Sequence, residues 1–228
     1  MNHALTGIAV GMVVTLAASL SRAEEKAIPE DNAPPPGFTA LFNGRDLTNW
    51  QGLVDLPTRA RLTAEELAAK QKQANEKFLP HWTVRNGLLH YDGKGNSLQT
   101  VKDYGNFELW VDWKITQGGD SGIYLRGNPQ VQIWDNPLGS GGLYNNKHHP
   151  SNPTKVADKP VGQWNRFHII MVGDKVTVYL NDQKVVDQVP MENYWEPGKP
   201  LPSRGPIELQ HHNSPLWFKN IFIKELPD

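Results

Sequence analysis

From Phe38 onward the chain runs in short apolar and aromatic stretches broken by Gly, Pro and Asn clusters, which is the punctuation of an all-β sandwich or barrel. Four stretches alternate strictly. Over 107–113, Phe107, Leu109, Val111 and Trp113 fall on one side, and Glu108, Trp110 and Asp112 on the other. Over 121–126 the apolar pair is Ile123 and Leu125, with Gly122, Tyr124 and Arg126 opposite. Over 130–135 it is Val131 and Ile133, with Gln130, Gln132 and Trp134 opposite, and over 207–212 it is Ile207 and Leu209, with Glu208, Gln210 and His212 opposite. If these four strands lie in one sheet, their polar faces combine carboxylates, amides, an arginine, a histidine and aromatic rings. Planar groups for hydroxyls and rings for C–H faces are what a sugar site requires.

Other segments break the alternation. Residues 63–77 open with Thr63 and Glu66 at capping-box spacing and are rich in Ala, Glu, Lys and Gln, so they predict one inserted helix that shields a sheet edge or rims the site. Residues 164–172 and 175–181, joined by Gly173-Asp174, predict a hairpin in the opposing sheet. Residues 138–153 are long, polar and aperiodic, and predict a functional loop carrying Tyr144 and His149.

The amino terminus has a different character. Residues 4–20 are apolar and Ser21-Arg22-Ala23 offers small residues for a cut after Ala23, so 1–23 predicts a signal peptide and a periplasmic or secreted protein. A retained anchor is the alternative, although the run is shorter than the roughly 20 residues that a span needs. Residues 24–37, rich in proline and charge, predict a flexible lead-in to a single domain over 38–228.

Composition narrows the chemistry. The chain has no cysteine, so neither disulfides nor thiolate metal sites hold it, and the weight of the core falls on apolar groups and eight tryptophans. A formal net charge of −1 argues against nucleic acid or an anionic membrane surface as partner and favours a neutral ligand such as carbohydrate. The serine-nucleophile, phosphate-loop and dinucleotide motifs are all missing.

Glu108 and Asp112 invite a two-carboxylate glycosidase reading. Four residues of strand separate their Cα atoms by about 13 Å, however, which is too far unless the side chains lean together. The pairs His148-His149 and His211-His212, with Asp135, suggest a transition-metal site, and loop oxygens at Asp120 or Asp135 suggest calcium. A divalent cation is therefore an open cofactor expectation.

Several ordered motifs carry a family resemblance. Residues 37–50 (Gly-Phe-Thr-Ala-Leu-Phe-Asn-Gly-Arg-Asp-Leu-Thr-Asn-Trp), 121–127, 130–135, 205–212 and 217–221 together resemble the 3-keto-disaccharide hydrolase family over about 38–226. The resemblance implies a concanavalin A-like jelly-roll of two antiparallel sheets and cleavage of glycosides whose sugar is oxidised to a ketone at C3. Such a ketone acidifies the C2 proton, so removal of that proton, loss of the C1 substituent and addition of water achieve hydrolysis without two placed acids.

The resemblance further implies His212 or Glu108 as the base and Arg126 or a bound cation at the developing oxyanion. Face parity together with the resemblance places Gln132 and Gln210 on hydroxyls; parity sets Trp110, Asp112, Tyr124, Trp134 and Glu208 around the substrate, with Asp135 at the strand end and Tyr144 and His149 from the 138–153 loop. Where similar sequences often read Leu-Gln-Asp-His-Gly, this chain has Leu209-Gln210-His211-His212-Asn213. The rival expectation is a lectin-like carbohydrate-binding module without catalysis.

Overall fold

A computed structural model describes Met1 and residues 31–227, so the expected signal peptide and the first part of the lead-in lie outside the described residues. Among the described residues thirteen strands form two antiparallel sheets. In chain order they begin with β1 (Thr39–Ala40), β2 (Trp50–Gly52), β3 (Trp82–Arg85), β4 (Leu88–Tyr91), β5 (Leu98–Thr100) and β6 (Phe107–Ile115). They continue with β7 (Asp120–Leu125), β8 (Asn128–Trp134), β9 (Asn165–Val172), β10 (Lys175–Leu180), β11 (Gln183–Pro190), β12 (Glu208–Leu209) and β13 (Leu216–Glu225). The larger sheet has eight strands in the order β11-β10-β9-β6-β13-β4-β3, with β1 also on β13, and the smaller has five in the order β2-β5-β12-β7-β8.

The inner faces meet in a core of aromatic and aliphatic side chains. Trp82, Trp113, Tyr91, Phe107, Phe167 and Phe218 are fully buried, and Trp82 stacks on Tyr91 with ring centroids 4.6 Å apart. The alternation predicts the buried side of every strand it was applied to: Phe107, Leu109, Val111, Ile123, Leu125, Val131, Ile133, Ile207 and Leu209 are each inaccessible to solvent. The 173–174 turn joins β9 to β10 as the expected hairpin, which lies in the sheet opposing β7, β8 and β12 but beside β6 in the larger sheet.

The expectation that the four alternating strands share one sheet does not hold. β6 lies in the larger sheet between β9 and β13, whereas β7, β8 and β12 lie in the smaller one. Residues 116–119 carry the chain across between layers instead of turning it back as a hairpin. Alternation fixes which side of a strand meets the core and is silent about which layer the strand joins.

The insertion between β2 and β3 holds two α-helices, not one, and a 3-10 turn (Leu79–His81): α1 (Leu56–Arg59), capped by Asp55, and α2 (Ala64–Phe78), capped by Thr63 with the reciprocal Glu66 bond of a capping box. α2 shields the β2 edge of the smaller sheet. Gly52 donates its N–H to Asn75 Oδ1 at 2.9 Å, and its carbonyl accepts from Gln71 Nε2 at 2.7 Å, so helix side chains occupy bonding positions that an edge strand would otherwise present. The fit depends on glycine, because a Cβ on Gly52 would stand 2.6 Å from the Ala74 carbonyl oxygen.

The described end of the expected flexible lead-in is tied down. Asn32 exchanges bonds with Asn220, its N–H donating to Oδ1 at 2.6 Å and its Oδ1 accepting from the Asn220 N–H at 3.0 Å. Asn220 has φ 51°, at a register shift in β13, and this bulge turns its backbone toward the partner.

Candidate functional site

The outward face of the smaller sheet carries a line of polar residues across all five strands. Gln51 pairs with Gln99, Gln99 with Glu208, Glu208 with Tyr124 and Tyr124 with Gln130. The adjacent core-facing line is Leu98, Leu209, Ile123 and Val131, so the polar line points away from the core. Next along the strands stand Gln210 and Gln132, with Gly122 between them, and beyond those stand Asp120, Trp134 and His212. Gly122 leaves the room that Gln130 fills: a Cβ there would lie 2.5 Å from Gln130 Oε1.

This face is polar and yet partly buried. Gln99, Gln130, Gln132 and Glu208 are buried, while Tyr124, Gln210, Asp120 and Trp134 are half-buried and His212 is exposed. The start of α1 reaches over the Glu208 end. Leu56 packs against Gly127, and Asp55 stands close enough to act on the Glu208 carboxyl. Trp195 Nε1 donates to the Gly127 carbonyl at 2.7 Å, which brings the loop after β11 to the same corner.

Glu208, 5% exposed, is pushed up to about 7. Burial is the main cause, Asp55 adds to it and the Ser97 hydroxyl acts against it. A carboxyl in this range exchanges a proton near neutrality, which suits acid–base work. Burial also holds the Tyr124 phenol well above the ordinary tyrosine range, with Glu208 contributing, so it stays a neutral donor. Ser97 Oγ lies 3.1 Å from His211 Nδ1, and burial lowers the proton affinity of that imidazole.

A second group lies toward the open end. Gln130 Nε2 donates to Gln132 Oε1, and Gln132 Nε2 donates to Asp120 Oδ1 at 2.8 Å. Asp120 Oδ2 is 3.7 Å from His212 Nδ1, near enough for charge attraction and too far for a hydrogen bond. Among the described residues no group of three or more His, Cys, Asp and Glu gathers as a metal site. Gln99 Nε2 and Oε1, Gln130 Oε1 and Gln210 Oε1 are buried without a partner among the described residues, and of the three side chains Gln210 alone is more than slightly exposed. Trp134 and Tyr144 meet edge-on at 5.5 Å at the β8 margin.

Of the residues expected around the site, Tyr124, Gln132, Trp134, Tyr144, Glu208, Gln210 and His212 therefore come together. The others do not. Glu108, Trp110 and Asp112 lie on the outward face of the larger sheet, where each has a partner: Glu108 with Lys224 at 3.0 Å and His168 at 3.3 Å, and Asp112 with both Arg166 Nε and Nη2 and with Asn220. Trp110 lies under the Arg166 guanidinium, 5.4 Å from its ring centroid.

Arg126 sits in the turn between β7 and β8, with φ 54° followed by Gly127 at 65°, so strand alternation does not govern its direction. Its side chain runs to the larger sheet and donates to the carbonyls of Ser203, at 3.1 Å, and Gly173. Asp135 accepts from the Gly118 N–H at 2.9 Å, and His149 bonds Glu192 at 3.0 Å on a separate loop cluster.

Sequence reasoning missed Gln51, Ser97 and Gln99. They lie on or beside strands of three residues, too short for alternation to register.

Comparison with known proteins agrees with this architecture. The 3-keto-alpha-glucoside-1,2-lyase-like domain family matches residues 37–224. A 3-keto-disaccharide hydrolase of Bacteroides thetaiotaomicron is 24% identical over 250 aligned positions, covering 83% of this chain and 79% of that protein. Two crystal structures of candidate glycosyl hydrolases from Parabacteroides distasonis share the fold. One has a TM-score of 0.64 at 23% identity, covering 87% of this chain and all of the other; the second has a TM-score of 0.65 at 24% identity, covering 90% and 95%.

Proposed function

Because the chain belongs to the family of 3-keto-α-glucoside-1,2-lyase-like domains, we propose that it cleaves the glycosidic bond of 3-keto-glycosides, including 3-keto-disaccharides, on the outward face of the smaller sheet. The observation that carries this reading is Glu208, a carboxyl poised near neutrality beside a phenol held neutral, on a face lined with amides. The name of the Bacteroides relative supports the disaccharide class.

In the reaction His212, whose Nδ1 lies 3.7 Å from Asp120 Oδ2, takes the C2 proton, and Gln132 holds Asp120 in place. The C2–H electron pair becomes the C2=C3 bond of an enolate, whose oxygen accepts from the Tyr124 phenol. As the C3 carbonyl re-forms, the pair moves to C1=C2 and the bond from C1 to the leaving oxygen breaks. Glu208 in its acid form gives the leaving oxygen its proton and becomes a carboxylate. Water then adds across C1=C2: its oxygen bonds C1 as the Glu208 carboxylate takes its proton, and His212 returns a proton to C2, which gives the free 3-keto sugar and restores both groups. Gln132 and Gln210 hold hydroxyls, and Trp134 and Tyr144 face a ring at the margin. Arg126 and Glu108 have no part in this scheme, since both lie off the face.

The test is to incubate the protein with a 3-keto-disaccharide and with its unoxidised parent in deuterated water. Release of sugar from the ketone alone, with deuterium at C2 of the product, is expected. Release from the parent at a similar rate, or product without deuterium, contradicts the scheme. The export expected from residues 1–23 would place the reaction in the periplasm or outside the cell, and a mature protein beginning at Glu24 is the outcome that supports it.

A further inference from the structure

A cavity of about 900 Å³ is lined by Arg126, the 173–174 turn and the loops around 145–149 and 190–204; none of the polar line of the smaller sheet lines it, although Tyr194 on its wall is near enough to act on the Tyr124 phenol. Its size falls within the range of small-molecule sites. Arg126 lines it and is only 4% exposed. The guanidinium donates to two carbonyls, while its buried Nε has no partner among the described residues. Asp174 is near enough to favour the cation but does not pair with it. A buried cation that meets only carbonyl dipoles is costly, and an anion brought beside it removes that cost.

The remaining lining fits a sugar that carries the anion. Asn145 Oδ1, another buried atom without a partner among the described residues, is a ready acceptor for a hydroxyl. Tyr194, 43% exposed, offers an aromatic face on the same wall. The Glu192 carboxylate on the same wall is engaged, its oxygens accepting from the N–H groups of Lys147, His148 and His149. Lys147 and Arg204 add positive charge to the lining.

We propose that this cavity is a second saccharide site, adjoining the reaction face but lined by other residues, that takes a sugar bearing an oxyanion. Arg126 holds the anion, Asn145 accepts from a hydroxyl and Tyr194 packs on the ring. The proposal does not depend on the cleavage reaction.

Calorimetric titration of the full chain with glucuronate, glucose 6-phosphate, glucose and inorganic phosphate tests it. At least one acidic sugar is expected to bind saturably and about tenfold or more tighter than glucose, because a charge-assisted hydrogen bond is at stake. Which acidic sugar binds tells carboxylate from phosphate. Arg126→Gln should weaken that binding about tenfold, with its thermal transition checked in parallel. Should that variant not fold, Asn145→Ala and Tyr194→Ala, on loops, should each weaken it several-fold. Equal affinity for glucose and the acidic sugars, no saturable binding of either acidic sugar, or inorganic phosphate binding as tightly as glucose 6-phosphate would each overturn the proposal.

Discussion

Replacing Glu208 by Gln removes an ionisable group that the fold forces toward its neutral form, and the consequence for stability can be worked out. The folded carboxyl sits at about 7 against an ordinary value of 4.5. The folded state therefore binds this proton more tightly than the unfolded chain, and its stability falls as pH rises from about 4.5 to about 7, then levels off. At about 1.4 kcal/mol per unit, the buried charge costs the native protein about 3 kcal/mol above neutrality. Glu208→Gln keeps the shape and a polar head and carries no charge to bury.

At pH 8 the variant should consequently be more stable than the parent by up to about 3 kcal/mol, roughly 6–12 °C in Tm for a chain of this size. At pH 4 the two should nearly coincide, because the parent carboxyl is then protonated as well. Denaturant unfolding of both proteins across this range, read as the difference between them, isolates the residue from other titrating groups. Parallel curves, or a gap that widens toward acid, would refute the assigned burial and the proton affinity built on it.

Further outcomes follow from the same geometry. His212→Ala should lower kcat on a 3-keto-disaccharide by about 10²–10⁴-fold, the range for loss of a general base, as measured by steady-state sugar release. Glu108→Gln, on the other sheet, should leave kcat/KM within about twofold, because it touches no part of the proposed scheme. Thr63→Ala should cost about 1 kcal/mol in denaturant unfolding through loss of the α2 cap. Gly52→Ala should destabilise more than that, since either β2 or α2 must shift to admit the methyl group, and the same unfolding curves would show it.

What the sequence reveals and conceals here has physical causes. Alternation in 107–113, 121–126, 130–135 and 207–212 reports burial correctly because side chains change sides at every residue, whatever the strand pairs with. It cannot report the crossing at 116–119, so Glu108, Trp110 and Asp112 look like neighbours of Gln132 and lie instead on the far side of the sandwich. Arg126 misleads for a different reason, since its positive φ takes it out of the strand. The α2 helix was legible because a capping box is a local interaction. The proton affinity of Glu208 was not, because it arises from burial by elements distant in the chain, with Asp55 adding to it.

The central claim, that cleavage takes place on the outward face of the smaller sheet, is tested most directly by a crystal structure of the His212→Ala variant with a 3-keto-disaccharide bound. The account predicts the oxidised ring over Tyr124, Gln210 and Asp120, with the C3 oxygen toward the Tyr124 hydroxyl. A sugar seated over Trp110 and Arg166, on the larger sheet, would contradict it.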